Sequence, residues 1–349
     1  VPPNSAMGDF SFACFELAKK QKKSPVEVAN DIKKKIDSLS QRRIHENDTV
    51  EKVETIGPYV NFYLNASKVA ELVLTEANKK DFGKNNLGKG KKILVEYGCP
   101  NPMKVFHLGH LKNLITGESV ARVLENAGFE VVRVNYQGDV GLHQAKAMWA
   151  INSHKSEVIS LMSKSLDIRI AFLGQMYVNG AQAYEKDEQA KAEILEMNEK
   201  IYEQDESIWK IYEQARYWSL EYFDELYKKL NVKFDRLYFE SEMFRRGKAI
   251  VVEYLKTGIF QESAGAIIFA GSQHGLHDRV FINSKGYPTY EAKELALAET
   301  HDKDYKPDKI IHVVGKEQTE YFKVVFKAME KIWPGLKKKE YHLPGGYLQ

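Results

Sequence analysis

Residues 107–110 read His107-Leu108-Gly109-His110, and they stand where an apolar strand gives way to a helix. The strand is expected over 92–97 (KILVEY) and the helix over about 108–127. A second strand is expected over 131–134, after Gly128. A strand–helix–strand run of this length is a βαβ crossover, right-handed because strands twist that way. The first turn of such a helix has unpaired amides and the positive end of its dipole, which together favour phosphate. Imidazoles at relative positions one and four project from one side of that turn. They can donate hydrogen bonds to the α- and β-phosphate oxygens as charge builds on a five-coordinate phosphorus. Gly109 has no side chain, so a flat base can lie on its backbone. A metal site would need third and fourth ligands, and neither cysteine is a spaced partner. The spacing therefore predicts a nucleoside triphosphate and a reaction at phosphorus, with His107 and His110 as catalytic groups.

The elements around this tetrapeptide must belong to a sizeable fold. The chain has 349 residues, 43% of them hydrophobic and 28% charged, which suits two or three domains and excludes global disorder. No run approaches eighteen apolar residues, so no membrane span is expected. The start, Val1-Pro2-Pro3-Asn4-Ser5, has neither a basic nor an apolar character and is no signal peptide; without a Met it suggests a fragment or a trimmed chain. Two cysteines, Cys14 and Cys99, are too few for a disulfide framework and point to a reducing cytoplasm. The net charge of +3 permits a polyanionic partner without requiring one.

Four segments are expected. Residues 1–87 form a small α+β N-terminal domain: Ser24-Pro25-Val26-Glu27 has the form of a capping box, Val28, Ile32 and Ile36 follow at helical spacing, and 50–54 and 59–64 alternate as strands. Residues 88–150 form the first half of a Rossmann-type parallel-sheet domain. Residues 151–261 form a helical insertion, in which Ile194, Met197, Ile201, Ile208, Ile211, Ala215, Trp218 and Tyr222 keep a core-facing spacing. Residues 262–349 form the second half, with strands over 265–269, 279–282 and 309–314 and a helix over 290–300.

The stretch 95–113 (VEYGCPNPMKVFHLGHLKN) resembles the first signature region of class I aminoacyl-tRNA synthetases, most closely the arginyl branch. Residues 128–141 (GFEVVRVNYQGDVG), 286–296 (GYPTYEAKELA) and 312–318 (HVVGKEQ) are similar to later segments of that family, and 10–20, 24–29 and 57–64 to its N-terminal domain. The resemblance spans nearly the whole chain. It implies an arginine–tRNA ligase that activates L-arginine with ATP and passes it to tRNA(Arg), with magnesium accompanying the ATP and no prosthetic group. ATP would contact Lys104, His107, Gly109 and His110, with Lys104 adding positive charge at the phosphates. Arginine would contact Glu96, Asn101, Tyr290, Glu294 and Gln318. A planar guanidinium wants a carboxylate held in register, and Tyr290 and Glu294, four apart on a helix, share one face. No dedicated metal ligands are expected.

Two positions depart from the family: Glu294 stands where Asp is usual and Cys99 where Ser is usual. The second signature, Lys-Met-Ser-Lys or a degenerate form, is not found before Gln349, nor is a helical anticodon-binding domain, so the chain reads as a C-terminally shortened fragment. In the N-terminal segment Tyr59, Asn61 and Phe62 are candidates for tRNA contact, with Lys19, Lys20, Lys22, Lys23, Lys33, Lys34, Lys35, Arg42 and Arg43 for its phosphates. A monomer is expected. The alternatives are a small-molecule nucleotidyltransferase of the His-x-Gly-His class and a catalytically impaired tRNA-binding fragment.

Overall fold

The structure is a computed structural model describing every residue except 1, 3, 5, 6, 44–48 and 347–349, and the side chains of 40–43 also lie outside it. The chain divides into two units, Val1–Lys84 and Asn85–Gln349. In the first, β1 (Phe10–Ala13), α1 (Phe15–Gln21), α2 (Pro25–Arg43), β2 (Val50–Ile56), β3 (Tyr59–Leu64) and α3 (Ala66–Ala77) follow in order. The sheet is antiparallel, ordered β1-β3-β2. The capping box forms as the sequence predicts: Glu27 N donates to Ser24 Oγ at 3.2 Å, and Ser24 N donates to the Glu27 carboxylate at 3.0 Å. Val28 and Ala29 of α2 then bury against Cys14, Ala18 and Val60, with Ile32 and Ile36 packed beside them.

In the second unit β4 (Lys92–Glu96), α4 (Leu108–Asn126) and β5 (Glu130–Gln137) are the expected βαβ run. Helices α5 (Leu142–Ser153), α6 (Lys155–Leu161), α7 (Leu166–Lys186), α8 (Glu188–Glu203) and α9 (Glu206–Lys229) follow. They bury one apolar cluster of their own, which includes Met148, Ile151, Ile194, Ile201, Ala215 and Trp218. The chain continues through β6 (Arg236–Phe239), α10 (Glu240–Leu255), β7 (Gln261–Ser263), β8 (Ala266–Phe269), β9 (Arg279–Ile282), α11 (Tyr290–Tyr305), β10 (Lys309–Gly315), α12 (Thr319–Ile332), α13 (Pro334–Lys337) and β11 (Glu340–Gly345). The main sheet has the order β11-β10-β4-β5-β6, with every neighbouring pair parallel.

Two of the expected boundaries need correction. The segment 151–261 is not wholly an insertion, because β6 is the fifth strand of the parallel sheet. Its four residues, Arg-Leu-Tyr-Phe, are too short to show a period of their own. The segment 262–349 is not simply a second sheet half. Its first two expected strands, found as β8 and β9, pair with each other and, through β8, with β7 in a separate antiparallel sheet, so only β10 and β11 join the parallel layer.

Candidate active site

The sheet order reverses between β10 and β4: from β4 the chain moves outward to β5, and only later returns to the other side as β10. Ligands in open parallel sheets settle at such a switch point, beyond the carboxyl ends of the strands. A cavity of about 730 Å³ lies there, and all nine residues expected to meet ATP or arginine line it: Glu96, Asn101, Lys104, His107, Gly109, His110, Tyr290, Glu294 and Gln318.

His107 is the N-cap of α4. Gly109 N donates to His107 Nδ1 at 3.1 Å, and His107 N donates to His110 Nδ1 at 3.4 Å. The rings stack with centroids 3.8 Å apart. A backbone N–H can only donate, so both Nδ1 atoms are acceptors and each neutral ring carries its proton on Nε2. Burial holds both imidazoles neutral, reinforced by Lys104: His107 lies below its ordinary range, and His110, also lowered by His107, is pushed down to about 4. The capping geometry thus leaves two Nε2–H donors at a helix N-terminus. Gly109 has a further role, since a Cβ there would stand 2.9 Å from His107 Cε1. The glycine makes room for the capping ring itself.

The loop after β4 is held against the end of β5. Gly98 and Cys99 both take left-handed backbone conformations (φ 89° and 49°), and Cys99 N donates to Asn135 Oδ1 at 3.1 Å. The Cys99 backbone makes this contact, so a thiol in place of a hydroxyl leaves it intact. Asn101 Oδ1 accepts from Gly138 N at 3.1 Å, and a Cβ at 138 would fall 2.9 Å from that oxygen. Gly138 O in turn lies 2.9 Å from His143 Nε2, and His143 Nδ1 lies 2.9 Å from the Tyr290 hydroxyl. The carbonyl can only accept, so Nε2 carries the proton and Nδ1 accepts from Tyr290. Burial depresses His143 to about 4, which keeps it neutral. The Tyr290 hydroxyl proton is therefore committed to His143, and its lone pairs are left to accept from a cationic ligand.

The floor is acidic. Glu96 and Glu294 are buried, and Tyr321 donates to Glu294 Oε2 at 3.3 Å. Burial and the neighbouring Glu96 push Glu294 up to about 8. Glu96 stays below the usual carboxylate range despite its burial, because His312 lies 3.1 Å away. Beside them Lys293 and Glu240 form a buried ion pair, and Arg279 donates to Glu291 at 3.0 Å. Gln318 ends the 3₁₀ turn Lys316–Gln318 after β10 and lines the cavity. His143, Tyr321, His312 and Glu340 are contributors that sequence reasoning missed. His143 stands two residues past the recognised stretch ending at Gly141, and His312 opens the recognised stretch 312–318 without a role being read for it; Tyr321 and Glu340 carry no local pattern.

The tRNA candidates lie in the first unit. Tyr59 is 40% exposed and packs edge-on against Phe15, so it is available for stacking. Asn61 is only 2% exposed and Phe62 packs against the unit's core. This corrects the expectation for Asn61, since a strand residue whose side chain is covered presents nothing to a nucleic acid; Phe62 is half-buried. Lys23 and Lys33 pair with Asp31 and Asp37 at 2.7 Å, both on the surface. The side chains of Arg42 and Arg43 lie outside the described residues.

The family model for the catalytic domain of class I (R) tRNA synthetases matches residues 70–342, and that for the arginyl tRNA synthetase N-terminal domain matches 1–64. The chain belongs to the class I (R) tRNA synthetases. Among relatives in this family, the arginine–tRNA ligase of Treponema denticola is 34% identical over 364 residues, covering 99% of this chain and 58% of its own length. That of Clostridium perfringens is 31% identical, covering 100% and 60%. Solved synthetase structures share the fold: the arginyl-tRNA synthetase of Thermus thermophilus (TM-score 0.64, 24% identity, 98% of this chain and 61% of that one) and that of Plasmodium falciparum (TM-score 0.63, 20% identity, 99% and 60%). The chain spans about three-fifths of the length of these synthetases. Among its described residues no helix is long and apolar enough to cross a membrane.

Proposed function

We propose that the chain carries the arginine-activating site of an arginine–tRNA ligase. The observation that carries this reading is a cavity with two buried carboxylates, Glu96 and Glu294, at one end and a doubly imidazole-capped helix N-terminus at the other. A guanidinium is the planar cation that suits paired carboxylates. Its arrival favours the ionised form of Glu294, and Tyr290, with its proton given to His143, accepts a further N–H. Asn101 and Gln318 line the same cavity and orient the α-amino and carboxylate end.

The arginine carboxylate then attacks the α-phosphorus of ATP. A carboxylate–phosphorus bond forms, the bond to the bridging oxygen breaks, and pyrophosphate leaves with that electron pair. The Nε2–H groups of His107 and His110 meet the charge developing on the phosphate oxygens, and Lys104 adds a cation at the same end. ATP enters as its magnesium complex. The cluster of Glu96, Glu294 and His312 has the spacing of a metal site. However, His312 faces a carboxylate on each nitrogen and keeps both protons, which leaves no lone pair for a metal. In the second step the terminal ribose of tRNA(Arg) displaces AMP from the adenylate. Tyr59 and the lysines of the first unit supply contacts to the tRNA, those to its phosphates weakening with salt. Two free cysteines suit a reducing cytoplasm.

The test is ATP–pyrophosphate exchange. Exchange that needs both L-arginine and tRNA supports the proposal. Exchange without tRNA points to a nucleotidyltransferase, and tRNA binding with no arginine dependence at all to a binding module.

A further inference from the structure

We propose that His312 is a positioning residue of the arginine site, a fixed internal cation that lets Glu96 and Glu294 both stand as carboxylates against one guanidinium. The proposal rests on the arginine reading above and names a device within it. Sheet register creates the arrangement. His312 on β10 lies opposite Glu96 on β4 and opposite His342 on β11. Glu340, two residues before His342, falls on the same face. His312 Nδ1 stands 3.1 Å from Glu96 Oε2 and 3.8 Å from Glu294 Oε1, while Nε2 stands 2.6 Å from Glu340 Oε2. The His312 side chain is 2% exposed and those of Glu96, Glu294 and Glu340 are 3%, 8% and 0% exposed. An imidazole with an acceptor-only carboxylate beside each nitrogen is favoured as the doubly protonated cation. Against the cost of burial, Glu96 and Glu340 hold it well above its ordinary range.

The charge count then has a consequence. With Glu294 raised to about 8, the cluster by itself holds back one negative charge as a proton. Once Glu294 ionises, three buried carboxylates face one buried cation. That leaves two negative charges to be matched, and buried unmatched charge is expensive. Arginine brings a guanidinium and an α-ammonium, which is two positive charges. The other titratable groups packed around the cluster do not change this count. His301 on α11 and His342 on β11 are kept neutral by burial. Tyr321 on α12, Tyr136 on β5 and the Cys99 thiol are all raised by burial and stay protonated. Asp302 is engaged with Lys339 at 2.6 Å. Glu96 Oε2, Glu294 Oε1 and His312 Nδ1 face one another without a closed hydrogen bond between them. The cluster is held on this side by charge, and Glu96 and Glu294 also line the cavity.

Calorimetric titration of the chain with L-arginine from pH 6 to 9, in two buffers of different ionisation enthalpy, reads both affinity and protons released. The wild-type chain should bind more tightly as pH rises and release a proton near neutrality as Glu294 ionises. In His312→Gln the loss of the cation should weaken binding at pH 7 by about tenfold or more. It should also move the pH at which affinity levels off upward by about one unit. Glu340→Gln, which removes a carboxylate that raises Glu294 while Glu96 still holds the imidazole charged, should move that pH downward. Opposite shifts support the proposal. No shift, or two shifts of the same sign accompanied only by lower melting temperatures, would overturn it in favour of a purely structural ion pair. If His312→Gln does not fold, the downward shift of Glu340→Gln decides alone. Failure of the wild-type chain to bind arginine overturns the arginine reading and this proposal with it, and is recognisable as such because no variant is involved.

Discussion

His107 performs two tasks that can be separated by substitution. Its Nδ1 caps α4 by accepting from Gly109 N, and on the proposed reading its Nε2–H meets phosphate. Replacing a capping side chain by Ala costs about 0.5–2 kcal/mol. In a domain of this size that lowers the melting temperature by roughly 2–4 °C per kcal/mol. A hydrogen bond to a charged group contributes about 1.5–3 kcal/mol, so loss of the Nε2–H donor should weaken ATP binding by roughly tenfold or more. His107→Ala should show both defects. His107→Asn places an amide oxygen where Nδ1 was, and Asn is among the best N-caps, but its side chain ends short of the Nε2 position. The Asn variant should therefore regain the melting temperature without regaining ATP affinity. Differential scanning calorimetry and ATP titration of the same three proteins check this. If His107→Asn binds ATP as tightly as wild type, the phosphate-donor role is refuted; if it melts like the Ala variant, the capping argument fails.

Tyr290→Phe removes the acceptor that faces the guanidinium and leaves His143 Nδ1 without its donor, so L-arginine affinity should fall by roughly three- to tenfold while ATP affinity stays put. Equal losses for both ligands in paired titrations would show a general disturbance of the cavity instead. His301 is buried neutral, depressed to about 4 against an ordinary 6.5. Between those values the unfolded chain binds more protons than the folded one, so this group withdraws stability as pH falls from 6.5 towards 4, by about 3 kcal/mol at 1.36 kcal/mol per pKa unit. His301→Phe, set against the Tyr238 ring, should flatten that part of the stability–pH profile in urea melts. Deleting residues 1–84 should reduce the slope of log affinity for tRNA against log salt, since fewer lysines then displace counterions. An unchanged slope would remove the first unit from the tRNA contact.

The legible parts of this molecule were those with local causes. The capping box at Ser24 and Glu27, the helix of 108–126 and the long helical stretch from Leu142 to Lys229 follow from caps and 3.6-residue periodicity, and they stand as expected. The strand–helix junction also marked the capped helix N-terminus that lines the cavity, because a helix N-terminus needs no distant partner to form. β6 and the sheet membership of β8 and β9 were not legible. A four-residue strand carries no period, and which sheet a strand joins is decided by packing across the whole domain. The buried carboxylates of the cavity were legible only through resemblance. Glu96, Glu294 and His312 come from β4, α11 and β10, and only sheet register brings them together. Asn61 misled because a polar residue in a strand can point inward as readily as outward.

The central claim is that buried carboxylates in this cavity recognise a guanidinium, and citrulline tests it most directly. Citrulline has nearly the shape of arginine but bears a neutral urea at the side-chain end, so it cannot balance Glu96 and Glu294. Titrating the chain at pH 8 should give L-arginine an affinity about a hundredfold or more above that for citrulline, since an unpaired buried carboxylate is strongly disfavoured. Equal affinities for the two would contradict the account.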